Sequence, residues 1–220
     1  MHSSAALRAG SGECRLVLAV ADQRIRVRRR RYDPFVPQVT ILPFDPTSDV
    51  EAIVAFLSSN SFPFHGRPTV SEADARARVL EGHYWSDESA GHWVVVDGAP
   101  IGIAVLEDIE DIADGGAPLF DLRLGEQFRG RGLGEPVLRA LTTYVFEQYP
   151  TLRRFEGQTR EDNIAMRKVF VRSDWVKEAH YREAWPIEGL EPKASIAYGV
   201  LRGDWETGTT TPVDWDDLPA

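Results

Sequence analysis

Hydrophobic positions along this chain switch between a period of two and a period of three to four, and the switches mark the elements. The runs Cys14–Val20 and Arg24–Arg31 are strand-like, and Ala21-Asp22-Gln23 between them reads as a hairpin turn. In the second run Ile25 and Val27 alternate with Arg24, Arg26 and Arg28, as on a half-exposed strand. Asp33-Pro34 through Pro37 breaks the pattern, and a short strand is predicted from Val39 to Phe44. Asp45-Pro46 then opens a helix in which Val50, Ile53, Val54 and Leu57 recur at helical spacing. Ser61–Pro68 is a loop, and Ser71-Glu72-Ala73-Asp74 has the spacing of a capping box that starts a second helix.

Two strands follow, His92–Val96 and Ile101–Leu106, around Asp97-Gly98-Ala99-Pro100, where Asp-Gly is a strong hairpin signal. Glu107–Gly116 reads as an acidic loop and Leu119–Leu124 as a strand. Gly132–Tyr149 is a predicted helix with Pro136 in its first turn and Val137, Leu138, Leu141 and Val145 on one face. A strand at Arg153–Thr159, a helix at Asp162–Val171 and antiparallel strands at Trp175–Trp185 and Ser195–Leu201 complete the order, that of a mixed α/β sheet. Residues 1–38 are expected to be an extension, a flexible start followed by the Arg-rich hairpin. Residues 39–202 form the main domain. Residues 203–220 are a polar, acidic tail, in which Trp205 and Trp215 are expected to pin the segment across the domain or onto a partner.

Charge sharpens this division. The net charge is −9, yet residues 1–38 hold eight Arg against three acids, so the remainder is strongly acidic. An acidic body disfavours nucleic acid as the main partner and tolerates cationic substrates. The run Arg28–Arg31 suits either RNA or, more simply, a charged strand edge protected from pairing. One cysteine, Cys14, excludes an internal disulfide framework, and no apolar stretch reaches the ~20 residues of a membrane span. The first twelve residues lack the basic-then-apolar order of a signal peptide. A cytoplasmic protein with no membrane segment is expected. His83, His92 and His180 lack metal-ligand spacing, so no metal site is expected.

The chemistry concentrates after the strand Leu119–Leu124, where Arg129-Gly130-Arg131-Gly132-Leu133-Gly134 runs directly into a helix. Glycines there let main-chain N–H groups converge on an anion at the helix N-terminus, and Arg129 and Arg131 add charge-assisted contacts to phosphates. A dinucleotide loop needs a third glycine where this chain has Glu135, and nothing fits the Gly-Lys-Ser/Thr ending of a P-loop. The same six residues would also serve as an ordinary glycine-rich turn. A serine-hydrolase elbow, Gly-x-Ser-x-Gly, is missing.

Arg129, Gly132 and Gly134 form the pattern Arg-x-x-Gly-x-Gly between a strand and a long helix, which resembles the signature of the GNAT superfamily of acyl-CoA N-acyltransferases. The segment Thr159–Phe170, with Asn163 after a strand, looks like that family's next strand-to-helix junction. The variant is most similar to the Rim-type branch, whose members acetylate protein N-termini, ribosomal proteins or small amines. The resemblance covers roughly residues 39–202. It implies an α/β (α+β) fold: a mixed, mostly antiparallel central sheet with a splayed strand pair and flanking helices. It also implies acetyl-CoA as cofactor. The main chain of Arg129, Gly130, Arg131, Gly132, Leu133 and Gly134 would hold the pyrophosphate. Leu122, Arg123 and Leu124 would run beside the pantetheine arm, Asn163 would bond that arm, and Arg167 would reach a phosphate. Two departures stand out. Phe170 occupies the position of the family's usual proton-donating Tyr, and Asp174-Trp175 replaces its usual Gly-Phe.

Amide formation from a thioester needs a neutral amine, an oxyanion donor and a proton acceptor. Asp121 and Glu156, on the two strands beside the expected cofactor cleft, are the candidate bases; each would equally suit a salt-bridged surface position. Phe64, His65 and Arg67, in the loop between the first two helices, are candidates for binding the acceptor, a small-molecule amine or a peptide. The acidic run Glu107–Asp111 with Asp114 would attract a cationic amine. The leading expectation is therefore transfer of an acetyl group from acetyl-CoA to a primary amine. Its rivals are an acyl-CoA-binding sensor that has lost catalysis, marked by Phe170, and an RNA-associated protein acting through the Arg-rich hairpin. Action alone or as a homodimer stays open.

Overall fold

Residues 37–215 are described by a computed structural model, and within them seven strands alternate with five α-helices. Strands β1 (Val39–Pro43), β2 (Ser89–Val96), β3 (Ala99–Glu107) and β4 (Leu119–Leu124) pair antiparallel in the order β1-β2-β3-β4. Strands β5 (Arg154–Arg160), β6 (Val176–Ile187) and β7 (Leu190–Leu201) form a second antiparallel sheet, ordered β5-β7-β6. β4 and β5 are the edges at which the two sheets approach. The Glu156 N–H donates to Pro118 O at 3.4 Å just before β4, yet the strands belong to separate sheets. This is the splayed pair of a mixed, mostly antiparallel fold.

Sequence pattern explains the layering. β3 lies between β2 and β4 with helices over both faces, so Ile101 through Leu106 are consecutively buried rather than alternating. Ile103 and Val105 pack against α1 (Val50–Ser59) and α2 (Glu72–Leu80). Ile101, Ala104 and Leu106 join the larger cluster of α3 (Gly134–Gln148) and the second sheet, with Val137, Leu138, Leu141, Phe155 and Phe170. The Asp-Gly hairpin forms with Asp97 at φ 50° and Gly98 at φ 82°, the double positive φ that a two-residue turn needs to match strand twist. Ser71 caps α2, its Oγ accepting from the Asp74 N–H at 3.1 Å.

Several boundaries differ from the sequence reading. α3 begins at Gly134, because the preceding glycines take left-handed φ values incompatible with a helix. The acidic loop contains a 3-10 turn, Ile109–Asp114. β6 and β7 are longer than predicted, since their distal halves are exposed and show no one-sided pattern. The segment taken as a tail opens with a helix, α5 (Arg202–Thr207). Its first residue donates to the Phe146, Tyr149 and Leu152 carbonyls at 2.9, 2.7 and 2.6 Å, placing a cation at the negative end of α3. Trp205 stacks near Phe146 and donates to Thr143 Oγ1 at 3.2 Å, so it pins this segment as expected; Trp215 is exposed. The hairpin Cys14–Val20/Arg24–Arg31 lies outside the described residues. Among those described, no helix is long and apolar enough to cross a membrane, and no three His, Cys, Asp or Glu side chains are grouped to hold a metal ion.

His92 sits at the centre of the first sheet, 3% exposed, bonded through Nδ1 to Ala104 O (3.3 Å) and through Nε2 to the Tyr144 hydroxyl (3.1 Å). Burial pulls its pKa down to about 4, and pushes that of Tyr144 up to about 12, so the hydroxyl remains a donor to a neutral ring. As pH falls below the unfolded value near 6.5, the unfolded chain binds a proton that the folded chain refuses. Stability tied to this group is therefore complete above about pH 6.5 and lost towards pH 4. Urea unfolding at pH 7.5 and pH 5 should show a loss of about 2 kcal/mol that His92→Gln, measured at both pH values, no longer displays.

Candidate functional site

The site is built on the two-residue period of β4. Gly125 N–H, one residue past the strand, donates to Ile101 O at 2.9 Å. In an antiparallel ladder that bond directs the main chain of Arg123 and Asp121 toward β3, and the main-chain groups of Leu122 and Leu124 toward the open edge facing β5. Side chains sort the same way. Phe120, Leu122 and Leu124 join the core beneath α3, while Asp121 and Arg123 share the face of Ile103 and Val105, under α1 and α2. Arg123 therefore differs from the sequence expectation. Its main chain is engaged with β3, and its guanidinium binds Asp121 Oδ2 through Nε (2.8 Å) and Nη2 (2.6 Å).

β4 leads through a 3-10 turn, Glu126–Phe128, into the glycine loop. Gly130 and Gly132 take φ of +69° and +78°, and a Cβ at either would meet nothing within 4 Å. Their need for glycine is thus conformational. Gly134 is required for packing: a Cβ there would lie 2.7 Å from Val169 Cγ2 of α4 (Ile164–Arg172). Among the described residues no protein acceptor takes the amide hydrogens of Gly130, Arg131, Gly132, Leu133 or Gly134, and Leu133 caps α3 without a side-chain bond. The result is a row of unbonded N–H groups at the positive end of a fifteen-residue helix.

The two arginines of this loop have separate roles. Arg131 is exposed and has no ion pair or side-chain hydrogen bond among the described residues. Arg129 is turned inward, correcting the expectation that its side chain meets phosphate. Its own N–H donates to Glu126 O at 3.2 Å, Nε donates to Leu124 O at 2.8 Å, and Nη2 donates to Ser61 O. Its guanidinium also lies 5.3 Å from the Phe62 ring centre, and Arg123 lies 4.9 Å from the same ring. Glu126 ties the same segment: Oε1 accepts from Ser61 N and Oγ at 2.7 and 2.6 Å, and its N–H donates to Asn60 Oδ1 at 2.8 Å. The glycine loop and the α1–α2 loop are one hydrogen-bonded unit.

Beyond Phe62, the α1–α2 loop spans the splayed edges. His65 Nε2 lies 2.8 Å from Asp121 Oδ1 on β4, and Phe64 lies under the Arg160 guanidinium of β5 at 5.0 Å. Gly66 O accepts from Glu188 N–H of the β6–β7 turn at 3.2 Å, and Arg67 makes an exposed 3.7 Å pair with Glu188. The structure thus brings Phe64, His65 and Asp121 together and leaves Arg67 on the rim. Burial works against ionisation of Asp121, but Arg123 and His65 outweigh it and hold the carboxyl well below the usual carboxylate range. A carboxylate so stabilised is a poor proton acceptor at neutral pH, which corrects its reading as the base. Nearby, burial raises the Tyr84 hydroxyl, and burial followed by the Asp121 charge raises Glu107.

The remaining candidates are engaged elsewhere. Glu156 accepts from Arg154 at 2.9 Å, and Arg154 also binds Glu178 at 2.6 Å, so Glu156 belongs to an ion-pair cluster rather than to the His65–Asp121 network. Asn163 caps α4, accepting from Met166 N–H at 3.2 Å and donating to Thr159 Oγ1 at 3.1 Å; one amide hydrogen is left over. Arg167 donates to Glu161 O at 2.8 Å and lies 3.4 Å from the Tyr198 hydroxyl. Helical spacing puts it on the far side of α4 from Val169 and the glycine loop, so its predicted reach to a phosphate does not hold. Phe170 is wholly buried, its ring stacked on Tyr198 at 4.5 Å and 5°. Asp174 takes the left-handed φ of 66° usually given to glycine, and is held there by Arg139 at 2.8 Å. Asn60, Glu126 and Arg160 are not singled out from sequence, since their partners lie far along the chain.

Comparison with known proteins agrees with this architecture. The model of the acetyltransferase (GNAT) domain matches residues 38–176. An acetyltransferase, Pat, of Mycolicibacterium smegmatis is 27% identical over 180 residues; the match takes in 71% of this chain but only 50% of that protein. A solved spermidine N-acetyltransferase from Vibrio cholerae, in complex with CoA and spermine, superposes with a TM-score of 0.63 at 17% identity, covering 77% of this chain and 98% of its own. An acetyl transferase from Salmonella typhimurium that modifies the N-terminal serine of a 50S ribosomal subunit protein gives 0.60 at 20% identity, covering 74% and 94%. With the family model spanning well over half its length, the chain belongs to the GNAT acetyltransferase family.

Proposed function

We propose that this chain is an acetyl-CoA-dependent N-acetyltransferase whose acceptor is a primary amine of a small molecule or of a peptide or protein N-terminus. One observation carries the reading: the unbonded amides from Gly130 to Gly134, at the mouth of α3, with open space where side chains at Gly130 and Gly132 would be. A diphosphate fits such a site because N–H groups and the helix end both favour a multiply charged anion. Arg131 would add a charge from the exposed side. The open edge of β4 offers the main-chain groups of Leu122 and the N–H of Leu124 to the pantetheine arm, and Asn163 keeps one amide hydrogen for the same arm. Bound acetyl-CoA supplies an activated acetyl thioester. The chain's part is to hold it, to present an N–H near Leu124 to the carbonyl oxygen, and to orient the amine.

The acceptor would enter on the face of Asp121 and Arg123, where the α1–α2 loop closes the cleft. Similar solved structures carry the names of enzymes acting on spermidine and on an N-terminal serine, both amines. Phe170, the mark of the sensor reading, fills the core against Tyr198, Phe120 and Trp175 and leaves the glycine loop and the α1–α2 loop intact.

Calorimetric titration with acetyl-CoA tests the reading. Gly132→Ala adds only backbone strain at φ +78°, whereas Gly132→Asp adds that strain and a carboxylate facing the diphosphate. Affinity should fall about threefold for the first and at least about thirtyfold for the second, an added penalty of roughly 1.4 kcal/mol. Undiminished binding by Gly132→Asp would remove the basis of the proposal. The two loop arginines separate by assay. Arg131→Ala should weaken acetyl-CoA binding several-fold, less so at high salt, and leave the urea midpoint unchanged. Arg129→Ala, which strips two carbonyls of a charged donor, should lower stability by about 2–3 kcal/mol.

A further inference from the structure

The pair formed by His65 and Asp121 has one end that nothing among the described residues satisfies. Asp121 Oδ2 is held by two Arg123 nitrogens and Oδ1 faces His65 Nε2. An ionised carboxylate only accepts, so Nε2 carries a proton, and in the neutral ring the lone pair lies on Nδ1. Nδ1 is buried and has no hydrogen-bond partner among the described residues. Buried acceptors left unpaired are rare in folded proteins and call for a partner from outside. Arg123, itself 7% exposed, locks the carboxylate, the carboxylate locks the ring, and the free lone pair remains for a donor.

We infer that His65 is the general base of the acyl transfer, its Nδ1 receiving the proton that the acceptor amine loses, with Asp121 and Arg123 as positioning residues. The inference rests on the reading of the chain as an N-acetyltransferase. The amine nitrogen forms a bond to the acetyl carbonyl carbon, the C–S bond breaks, and the nitrogen's proton passes to Nδ1. The imidazolium then gives that proton to the departing thiolate of coenzyme A, directly or through solvent, which returns His65 to its neutral form. The carboxylate keeps its charge throughout and stabilises the imidazolium at Nε2.

The loop is fastened firmly on its glycine-loop side and weakly to the β6–β7 turn, which suits this role. Its first half is pinned by Asn60, Ser61 and Phe62 to Glu126 and Arg129. Its second half, after His65, is closed onto the first by the Phe62 N–H donating to Pro68 O at 2.6 Å, and reaches the β6–β7 turn through one 3.2 Å bond from Glu188 to Gly66 and one exposed 3.7 Å ion pair at Arg67. An amine can therefore reach Nδ1 by parting the weak contact between this loop and the β6–β7 turn, while the closed loop keeps the ring against Asp121. The charged and titratable groups around the pair are Arg123 on β4, Glu107 at the end of β3, Arg78 on α2, Tyr84 after it, Arg160 on β5 over Phe64, and Glu188 in the β6–β7 turn.

Three measurements on the full chain decide it. Histidine ¹⁵N spectra at pH 8, with the His65 signal identified by its loss in His65→Gln, should show the Nε2–H tautomer; an Nδ1–H tautomer overturns the inference, and this readout needs no acceptor. Acetyl-CoA affinity should stay within about threefold of wild type in His65→Gln and Asp121→Asn. Wild type failing to bind would sink the transferase reading itself, a separate outcome. Coenzyme A release should then be followed against pH with spermidine, an aminoglycoside and a peptide beginning with serine. For whichever amine turns over, His65→Gln should lose about 10²–10⁴-fold in kcat/KM and the acid limb of the profile. Asp121→Asn should lose less and move that limb to lower pH, because the imidazolium loses its counter-charge. A His65→Gln rate within threefold of wild type, or an unchanged acid limb, overturns the inference. Should His65→Gln not fold, the tautomer, traced instead by its change in Asp121→Asn, and the shifted limb still decide.

Discussion

The arrangement at this site depends on one strand serving two layers. In β4 the two-residue period couples main-chain direction to side-chain direction. Odd positions bond β3 and send Asp121 and Arg123 up to the α1–α2 loop; even positions send Leu122 and Leu124 into the core and leave their main chain at the open edge. A register slip of one residue would bury the Asp121–Arg123 pair beneath α3 and expose the leucines to the loop. That cost fixes the strand, and through it the distance between the polar face beneath the α1–α2 loop and the open main-chain edge toward β5. Gly102, whose added Cβ would fall 2.3 Å from Arg123 O, holds β3 close enough for this ladder.

Elements with local causes were legible in the sequence. The Asp-Gly hairpin, the Ser71 cap, the α3 apolar face and the glycine loop each arise from residues within a few positions of one another. What could not be read is what depends on distant partners. Arg129 looked like a phosphate ligand because it stands in a phosphate loop; its actual acceptors are Leu124 O and Ser61 O, the latter 68 residues away. Arg167 has helical phase against it, visible only once Val169 is known to face Gly134. α5 exists because Arg202 finds the carbonyl end of α3, and a six-residue stretch has no helical signal strong enough to reveal that. Asp121 was recognised as important, but the depression of its pKa by Arg123 and His65 required knowing which face of β4 each occupied.

Arg129 also gives the two functional loops a common fate. Its guanidinium joins β4 to the α1–α2 loop while its own backbone starts the glycine loop, and Glu126 repeats the connection three residues earlier. Filling the row of amides with an anion restrains that backbone, and the restraint reaches Ser61 and Phe62 through bonds already formed. The glycine loop and the α1–α2 loop are therefore not independent mutational targets. Substitutions at Ser61, Glu126 or Arg129 belong to both, and effects of pairs among them should not add.

Replacement of the usual tyrosine by Phe170 matters less than it first suggests. A proton donor near the sulfur assists a leaving group that is otherwise too basic to depart, but an ordinary thiol has a pKa of about 8.5 and leaves readily as the thiolate. The harder proton is the one on nitrogen, since an amide cannot form until the attacking amine gives it up. A protein that lacks the acid can still be an efficient transferase if it keeps a base and holds that base in one tautomer. Here the position that could have carried the acid is enclosed by Tyr198, Phe120 and Trp175, where a hydroxyl would have to find a buried partner. The polar investment of the site lies instead on β4 and the α1–α2 loop, where Arg123, Asp121 and His65 are arranged in series toward the unpaired Nδ1.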